Sequence, residues 1–143
     1  MTERHPYATA LERLRAAGLR PTRQRLALTR LLFAGTDRHV TAEALHKEAR
    51  ANNVGVSLAT IYNTLNQFTE ARLLRKVVVD ALSLYFDTNV SHHHHFFCEE
   101  DRDLVDIPGE ELKLVRLAHP PDGTTVKKVD IVIRVRKNPG LEG

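Results

Sequence analysis

Hydrophobic positions in the first half of the chain recur at helical intervals, and turn chemistry cuts them into four segments. Residues 6–18 read as a helix, with Leu11 and Leu14 on one face and Gly18 closing it. Leu19-Arg20-Pro21-Thr22 breaks the pattern, and Thr22 caps a second helix from Arg23 to about Ala34. Leu26, Leu28, Leu31, Leu32 and Phe33 give that helix a broad apolar face. After a turn at Gly35-Thr36-Asp37-Arg38, a third helix starts at Thr41 and runs to about Asn52. Asn53-Val54-Gly55-Val56 is a short turn, and Ser57 caps a fourth helix through Glu70. In this last helix Leu58, Ile61, Leu65 and Phe68 form one buried stripe, opposite Ala59, Thr60, Asn63, Asn66 and Gln67. Helix, short glycine-containing turn and capped helix make a helix-turn-helix.

The period then changes. Leu74–Val79 and Ser83–Phe86 read as a β-hairpin, placed as a wing after the recognition helix. Ser91–Cys98 and Leu104–Ile107 read as strands, Glu110–His119 as a helix, and Val126–Arg136 as a last strand with Val129, Ile131, Ile133 and Val135 on one face. Three strands and one helix leave an exposed edge and little core, which a second copy would cover. The expected class is α+β: a winged helix-turn-helix domain over residues 1–87, then a small α/β dimerisation domain over 88–143. A homodimer implies a palindromic DNA site.

Composition sharpens this division. Residues 1–87 carry thirteen Lys/Arg against eight Asp/Glu, and residues 88–143 carry eight against ten. The first part suits a polyanion, the second a cation. Arg20, Arg23 and Arg25 form one basic group, and Arg72, Arg75 and Lys76 another along the wing. The small, amide-rich side of the fourth helix suits adenine edges in a major groove; an ordinary solvated face usually carries Lys and Glu instead. No stretch has the length of a membrane span and no signal peptide is evident, so the expected location is the cytoplasm. The single cysteine, Cys98, excludes an intramolecular disulfide and an all-cysteine zinc site within one chain. No nucleophile with a base, phosphate loop or acid–base carboxylate pair stands out, so the chain does not read as an enzyme.

The run His92-His93-His94-His95 is the densest chemistry in the sequence. Imidazole is the commonest protein ligand for transition metals. On a strand, His93 and His95 share one face and His92 and His94 the other, giving two separate nitrogen pairs for metal or heme. An expression tag would sit at a terminus, and this run is internal; a solvated polar turn is the remaining bland explanation.

Several motifs stand in a fixed order: Gly18-Leu19-Arg20-Pro21-Thr22-Arg23-Gln24-Arg25, His39-Val40-Thr41-Ala42-Glu43-Ala44-Leu45, Ser57-Leu58-Ala59-Thr60-Ile61-Tyr62-Asn63-Thr64-Leu65, and the histidine segment ahead of Cys98. Spanning nearly the whole chain, they resemble the ferric uptake regulator family. Tyr62-Asn63-Thr64-Leu65 and the histidine run most resemble its alphaproteobacterial iron response regulators. The resemblance implies a dimeric winged-helix repressor whose DNA binding depends on iron status. It implies that Tyr62 touches a thymine and that Arg20 approaches the minor groove. With the helix face, the candidate DNA contacts are Arg20, Ser57, Ala59, Thr60, Tyr62 and Asn63. Asn63 stands where many relatives have arginine, so operator preference should differ.

The resemblance also implies a regulatory metal site between the domains, matched here by His39, Asp87, His93, His95 and Asp106. Two carboxylates and three imidazoles suit Fe(II), Mn(II) or Zn(II). Otherwise His39 and Asp87 merely cap or hydrogen-bond. Two departures matter: the paired cysteines of the family's structural zinc are absent, as is an N-terminal Cys-Pro heme motif. No structural zinc is expected, and heme would have to use His92, His93 and His94. In the wider family metal promotes DNA binding, whereas in the iron response regulators heme relieves it; the histidine run favours heme relief. The alternatives are a conventional Fe(II)/Mn(II)-activated repressor and a peroxide sensor with the same ligand pattern. Outside regulation, the alternative is a heme or metal carrier without DNA function, which the helix-turn-helix argues against.

Overall fold

The computed structural model describes residues 8–112 and 117–140. The chain divides into two compact units, Met1–Val90 and Ser91–Gly143, and its class is α+β, as the pattern predicts. The first unit contains helices α1 (Ala8–Ala16), α2 (Arg23–Leu32), α3 (Ala42–Ala51) and α4 (Leu58–Glu70). It also contains an antiparallel sheet of β1 (His39–Val40), β2 (Arg75–Asp80) and β3 (Ser83–Asp87), in the order β1-β3-β2. Of the first helix expected over 6–18, Pro6 and Tyr7 lie outside the described residues.

The helix starts follow the sequence closely. Thr22, Thr41 and Ser57 each accept the backbone N–H three residues on, from Arg25, Ala44 and Thr60 respectively, all at 3.1 Å. Three helix ends share one closing device. The N–H groups of Leu19, Val54 and Leu73 reach back to the carbonyls of Leu14, Ala49 and Phe68, across a residue at positive φ. Those residues are Gly18 at 75°, Asn53 at 59° and Arg72 at 64°. Asn53, rather than the Gly55 read as the turn glycine, therefore supplies the left-handed residue between α3 and α4. Arg72 is the costly one, since its Cβ adds roughly 1–2 kcal/mol of strain there.

These elements enclose a core of Leu14, Leu28, Leu32, Leu45, Ile61, Leu65, Phe68 and Phe86. The expected α4 stripe is corrected at one end: Leu58 is only half-buried, and Thr64 joins Ile61, Leu65 and Phe68 inside. Strand β1 has no precedent in the hydrophobic pattern, because two residues cannot display a period. Its pairing with β3 nonetheless ties the helices to the hairpin.

In the second unit β5 (Asp103–Ile107) and β6 (Val132–Val135) flank β4 (His94–Cys98). β5 is antiparallel to β4 and β6 is parallel to it. Phe97, Leu104, Ile107 and His95 are buried, and the Arg102 and Arg134 guanidinium groups each stand 5.5 Å from the Phe97 ring centre. Three expectations need correction. The strand expected over Ser91–Cys98 begins only at His94. In place of the helix Glu110–His119, a single 3-10 turn covers Gly109–Glu111 and residues 117–119 carry no helix; residues 113–116 lie outside the described ones. Leu117 is half-exposed and so gives such a helix no buried anchor at that position. The last strand covers four residues rather than Val126–Arg136. Just before it, the Val129 carbonyl and the Ile131 N–H are bonded to the side chains of His92 and His94. Among the described residues no helix is long and apolar enough to cross a membrane.

Replacing Phe68 with alanine should lower the unfolding free energy by about 3–5 kcal/mol, measured by urea titration of the helical circular dichroism. Leu58→Ala, at the half-buried end of the same stripe, should cost less than the roughly 2–5 kcal/mol typical of buried leucines.

Candidate functional site

The polar side of α4 is assembled from its cap outward. The Ser57 hydroxyl accepts the Thr60 N–H and donates to the Thr60 hydroxyl at 3.0 Å, so these two side chains are ordered against each other. Ala59, Asn63, Asn66 and Gln67 are exposed, while Thr60 and Tyr62 are half-buried. Arg25 joins this face to the start of α2. One guanidinium nitrogen donates to the Arg20 carbonyl at 2.8 Å and another to Gln67 Oε1 at 2.9 Å. A groove of about 360 Å³ results, lined by Arg20, Thr22, Arg25, Thr60, Asn63 and Gln67 among others. The structure thus gathers three of the candidate DNA contacts, Arg20, Thr60 and Asn63, around one polar groove. Arg25 holds it in shape, a role that reading Arg25 as one more basic residue did not reveal. Tyr62 is anchored differently: its hydroxyl donates to Glu43 Oε1 at 2.6 Å. That bond holds the Tyr62 phenol above its usual pKa range and the Glu43 carboxyl below its own.

Each unit also carries a cluster of metal-competent donors. In the first, the β1–β3 register sets His39 opposite Asp87. His39 Nε2 lies 3.1 Å from Asp87 Oδ2, and the Asp87 side chain is 1% exposed. Asp87 Oδ1 accepts the Asn89 N–H at 2.9 Å. The neighbouring residues lock the pair. The Arg38 N–H donates to Thr88 Oγ1 at 2.8 Å, and the Thr88 N–H donates to the Arg38 carbonyl at 3.0 Å. The Arg38 guanidinium forks onto both Glu48 oxygens, at 3.0 and 2.8 Å, fastening this corner to α3.

In the second unit the histidine run splits as the two-residue period predicts, although His92 and His93 precede the strand. The His93 and His95 rings lie 4.5 Å apart, and both Nε2 atoms point at Asp106 Oδ1, from 3.3 and 3.4 Å. The β4–β5 register explains this, pairing His95 with Asp106. His93 Nδ1 donates to the Ser91 carbonyl at 2.6 Å, which in the neutral ring leaves Nε2 as an acceptor directed at a carboxylate. Two acceptors face to face are compatible only with a proton or a cation between them.

The spacings fit a metal. Donors about 2.1 Å from one ion lie about 3.0 Å apart at an octahedral angle and about 3.4 Å apart at a tetrahedral one. The separations of 3.1 Å in one cluster and 3.3 and 3.4 Å in the other fall in that range.

The other two histidines are engaged structurally. His92 Nε2 donates to the Val129 carbonyl at 2.9 Å, and the Ile131 N–H donates to His94 Nδ1 at 3.1 Å. Of the candidate heme ligands, His92 thus offers Nδ1, His93 Nε2 already faces Asp106, and a neutral His94 offers Nε2 only by giving up its bond to Ile131. Near the end of β4, the Cys98 thiol points at Glu100 and Asp101, with sulfur–oxygen distances of 3.6 and 3.9 Å.

The sequence matches the Ferric uptake regulator family over residues 16–133. It is 32% identical over 115 residues to the peroxide-responsive repressor PerR of Staphylococcus aureus, covering 80% of this chain and 77% of that protein. Two solved structures share the fold. A ferric uptake regulator of Pseudomonas aeruginosa with manganese superimposes with a TM-score of 0.67 at 24% identity, covering 90% of this chain and 97% of that one. A ferric uptake regulator of Francisella tularensis with iron gives 0.67 at 18% identity, over 84% and 92%.

Asp106→Asn and His93→Gln should each lower Zn(II) affinity in calorimetric titration by at least the 10–100-fold that losing even a supporting hydrogen-bond partner costs. Cys98→Ser should leave that affinity unchanged.

Proposed function

This chain belongs to the ferric uptake regulator family, and we propose that it is an operator-binding repressor whose DNA affinity is set by iron status. The family comprises metal-responsive transcription regulators that bind DNA as dimers. One observation carries the reading for this chain: half-buried His39, on the strand that leads directly into α3, forms a metal-competent pair with buried Asp87, opposite it on β3. α3 packs against α4, the helix with the uncharged, amide-bearing face.

In this reading Arg20, Ser57, Ala59, Thr60, Tyr62 and Asn63 meet DNA, and the β2–β3 hairpin with Arg72, Arg75 and Lys76 lies along the phosphates. The protein acts as a homodimer on a palindromic operator. Val105, Ile133 and Val135 remain exposed on the second unit's sheet and favour pairing with a second copy there. A divalent ion, iron, manganese or zinc, is held by His39, Asp87, His93, His95 and Asp106, and supplies positive charge among otherwise repelling donors. DNA affinity responds because only the conformation favoured by the occupied ligands fits the operator. No cysteine-bound structural zinc takes part.

Heme is the proposed second signal, relieving DNA binding through His92, His93 and His94. The exposed His92 ring, with Nδ1 available, supports such access; His94 would have to exchange its bond to Ile131 for ligation. A peroxide response through oxidation of a ligand histidine is the competing mode, favoured by the identity to a peroxide-responsive repressor.

Fluorescence anisotropy on a duplex selected by the protein from a random library, at one fixed salt concentration, separates these readings. Loss of binding with hemin, abolished when His92–His94 become alanines, is the expected result. Binding that needs Mn(II) and ignores hemin would instead make the protein a metal-activated repressor. Release by hydrogen peroxide, with one oxygen added to a ligand histidine by mass spectrometry, would make it a peroxide sensor. Absence of any salt-sensitive DNA binding would leave a heme or metal carrier.

A further inference from the structure

We propose that Glu43 determines the specificity of DNA recognition, by fixing the Tyr62 ring for contact through its carbons and by placing a negative charge beside the reading face. The inference rests on the DNA-binding reading above and assigns a role to a residue that the basic and amide patterns pass over.

Tyr62 stands in α4 beside exposed Asn63 and Asn66, while Glu43 is exposed in the first turn of α3, directly after the Thr41 cap. The amino end of a helix favours a carboxylate at that position. The 2.6 Å bond from the Tyr62 hydroxyl to Glu43 Oε1 is therefore a short, charge-assisted one between two separately positioned elements. A phenol has a single proton to donate. With that proton committed to Glu43, the hydroxyl cannot also donate to a base edge or a phosphate. What remains for DNA is the ring itself, which suits the methyl group of thymine.

The charge has a second consequence. Phosphate repels a carboxylate whatever the base sequence, so Glu43 weakens binding to every duplex. Only a site whose bases accept the ring recovers the lost affinity. Penalising all DNA while one contact compensates at the correct sequence raises the ratio of specific to non-specific affinity. Arg20 and Arg25, at the groove by the other side of α4, supply the opposing attraction.

The test compares wild type, Glu43→Gln, Glu43→Ala, Tyr62→Phe and the Glu43→Ala/Tyr62→Phe double variant. Anisotropy is read on the duplex selected by the wild type and on a scrambled duplex, over a salt series. Glu43→Gln should bind scrambled DNA several-fold more tightly and steepen the salt dependence by about one ion. Glu43→Ala should also free the ring and lower the specificity ratio on the order of ten-fold. Tyr62→Phe, which frees the ring but keeps the Glu43 charge, should lose only the ring's share of the specificity, and the double variant should lose little more than Glu43→Ala. Melting temperatures should stay close to wild type, since Glu43 is exposed and Tyr62→Phe keeps the half-buried ring. The Tyr62 phenol titration should move down toward the ordinary range in Glu43→Ala.

Unchanged specificity in both Glu43 variants would overturn the proposal. So would independent, additive losses in the double variant, which would mean that the hydroxyl acts on DNA itself. A phenol titration unmoved by Glu43→Ala would show that the bond is not made in solution, and overturns it equally. If the wild type selects no duplex, the DNA-binding reading itself falls, a result that differs from selective wild-type binding left untouched by the variants.

Discussion

The antiparallel pairing of two residues, His39 and Val40, with Phe86 and Asp87 is the constraint on which the first unit's functional corner depends. Without it the turn after α2 would pass the hairpin unattached. With it, one ladder step does three things at once: it starts α3 at Thr41, sets His39 against a fully buried carboxylate, and lets the Arg38 N–H donate to the Thr88 hydroxyl while the Thr88 N–H donates to the Arg38 carbonyl. The Arg38–Glu48 fork carries the restraint into α3. Asp87 is thus buried within a lattice of directed bonds, the condition under which burying a charged group is tolerated. A donor pair built this way is already oriented, so an ion bound there would cost little ordering of side chains.

The histidine run shows the same economy in the second unit. Adjacent residues on an extended chain cannot share a face, so a run of four imidazoles divides its labour automatically. One pair converges on Asp106; the other bonds to residues 129–131 just ahead of β6. A repeated residue type thus performs two unrelated tasks because the backbone alternates.

Much of this was legible in the sequence, for a physical reason. The three side-chain caps, the helical stripes and the hairpin are local, and each is encoded within a few residues of where it acts. The alternation of the histidines is local as well. What escaped notice depends on distant partners. Strand β1 exists only because β3 is there to pair with it, and β6 is short because imidazoles bind the segment before it. The helix expected over 110–119 has the composition of a helix, but Leu117, one of its apolar positions, is half-exposed. Arg25 bonding to Gln67, and Glu43 to Tyr62, likewise join residues far apart in sequence. No periodicity announces such pairs; only the packing of α2 and α3 around α4 brings them together.

The parallel pairing of β4 with β6 has a consequence for how the molecule comes into being. Residues 92 and 94 wait for partners thirty-seven positions later, whereas the first unit's helices close over three or four. Contacts across that span form more slowly than helical turns, and although the first unit's own His39–Asp87 pairing spans a longer stretch, its last strand is made well before β6. During synthesis the helical unit therefore has its partners in hand long before β6 emerges to complete the second sheet. The helical unit matures first, and the histidines that brace β6 acquire their geometry last.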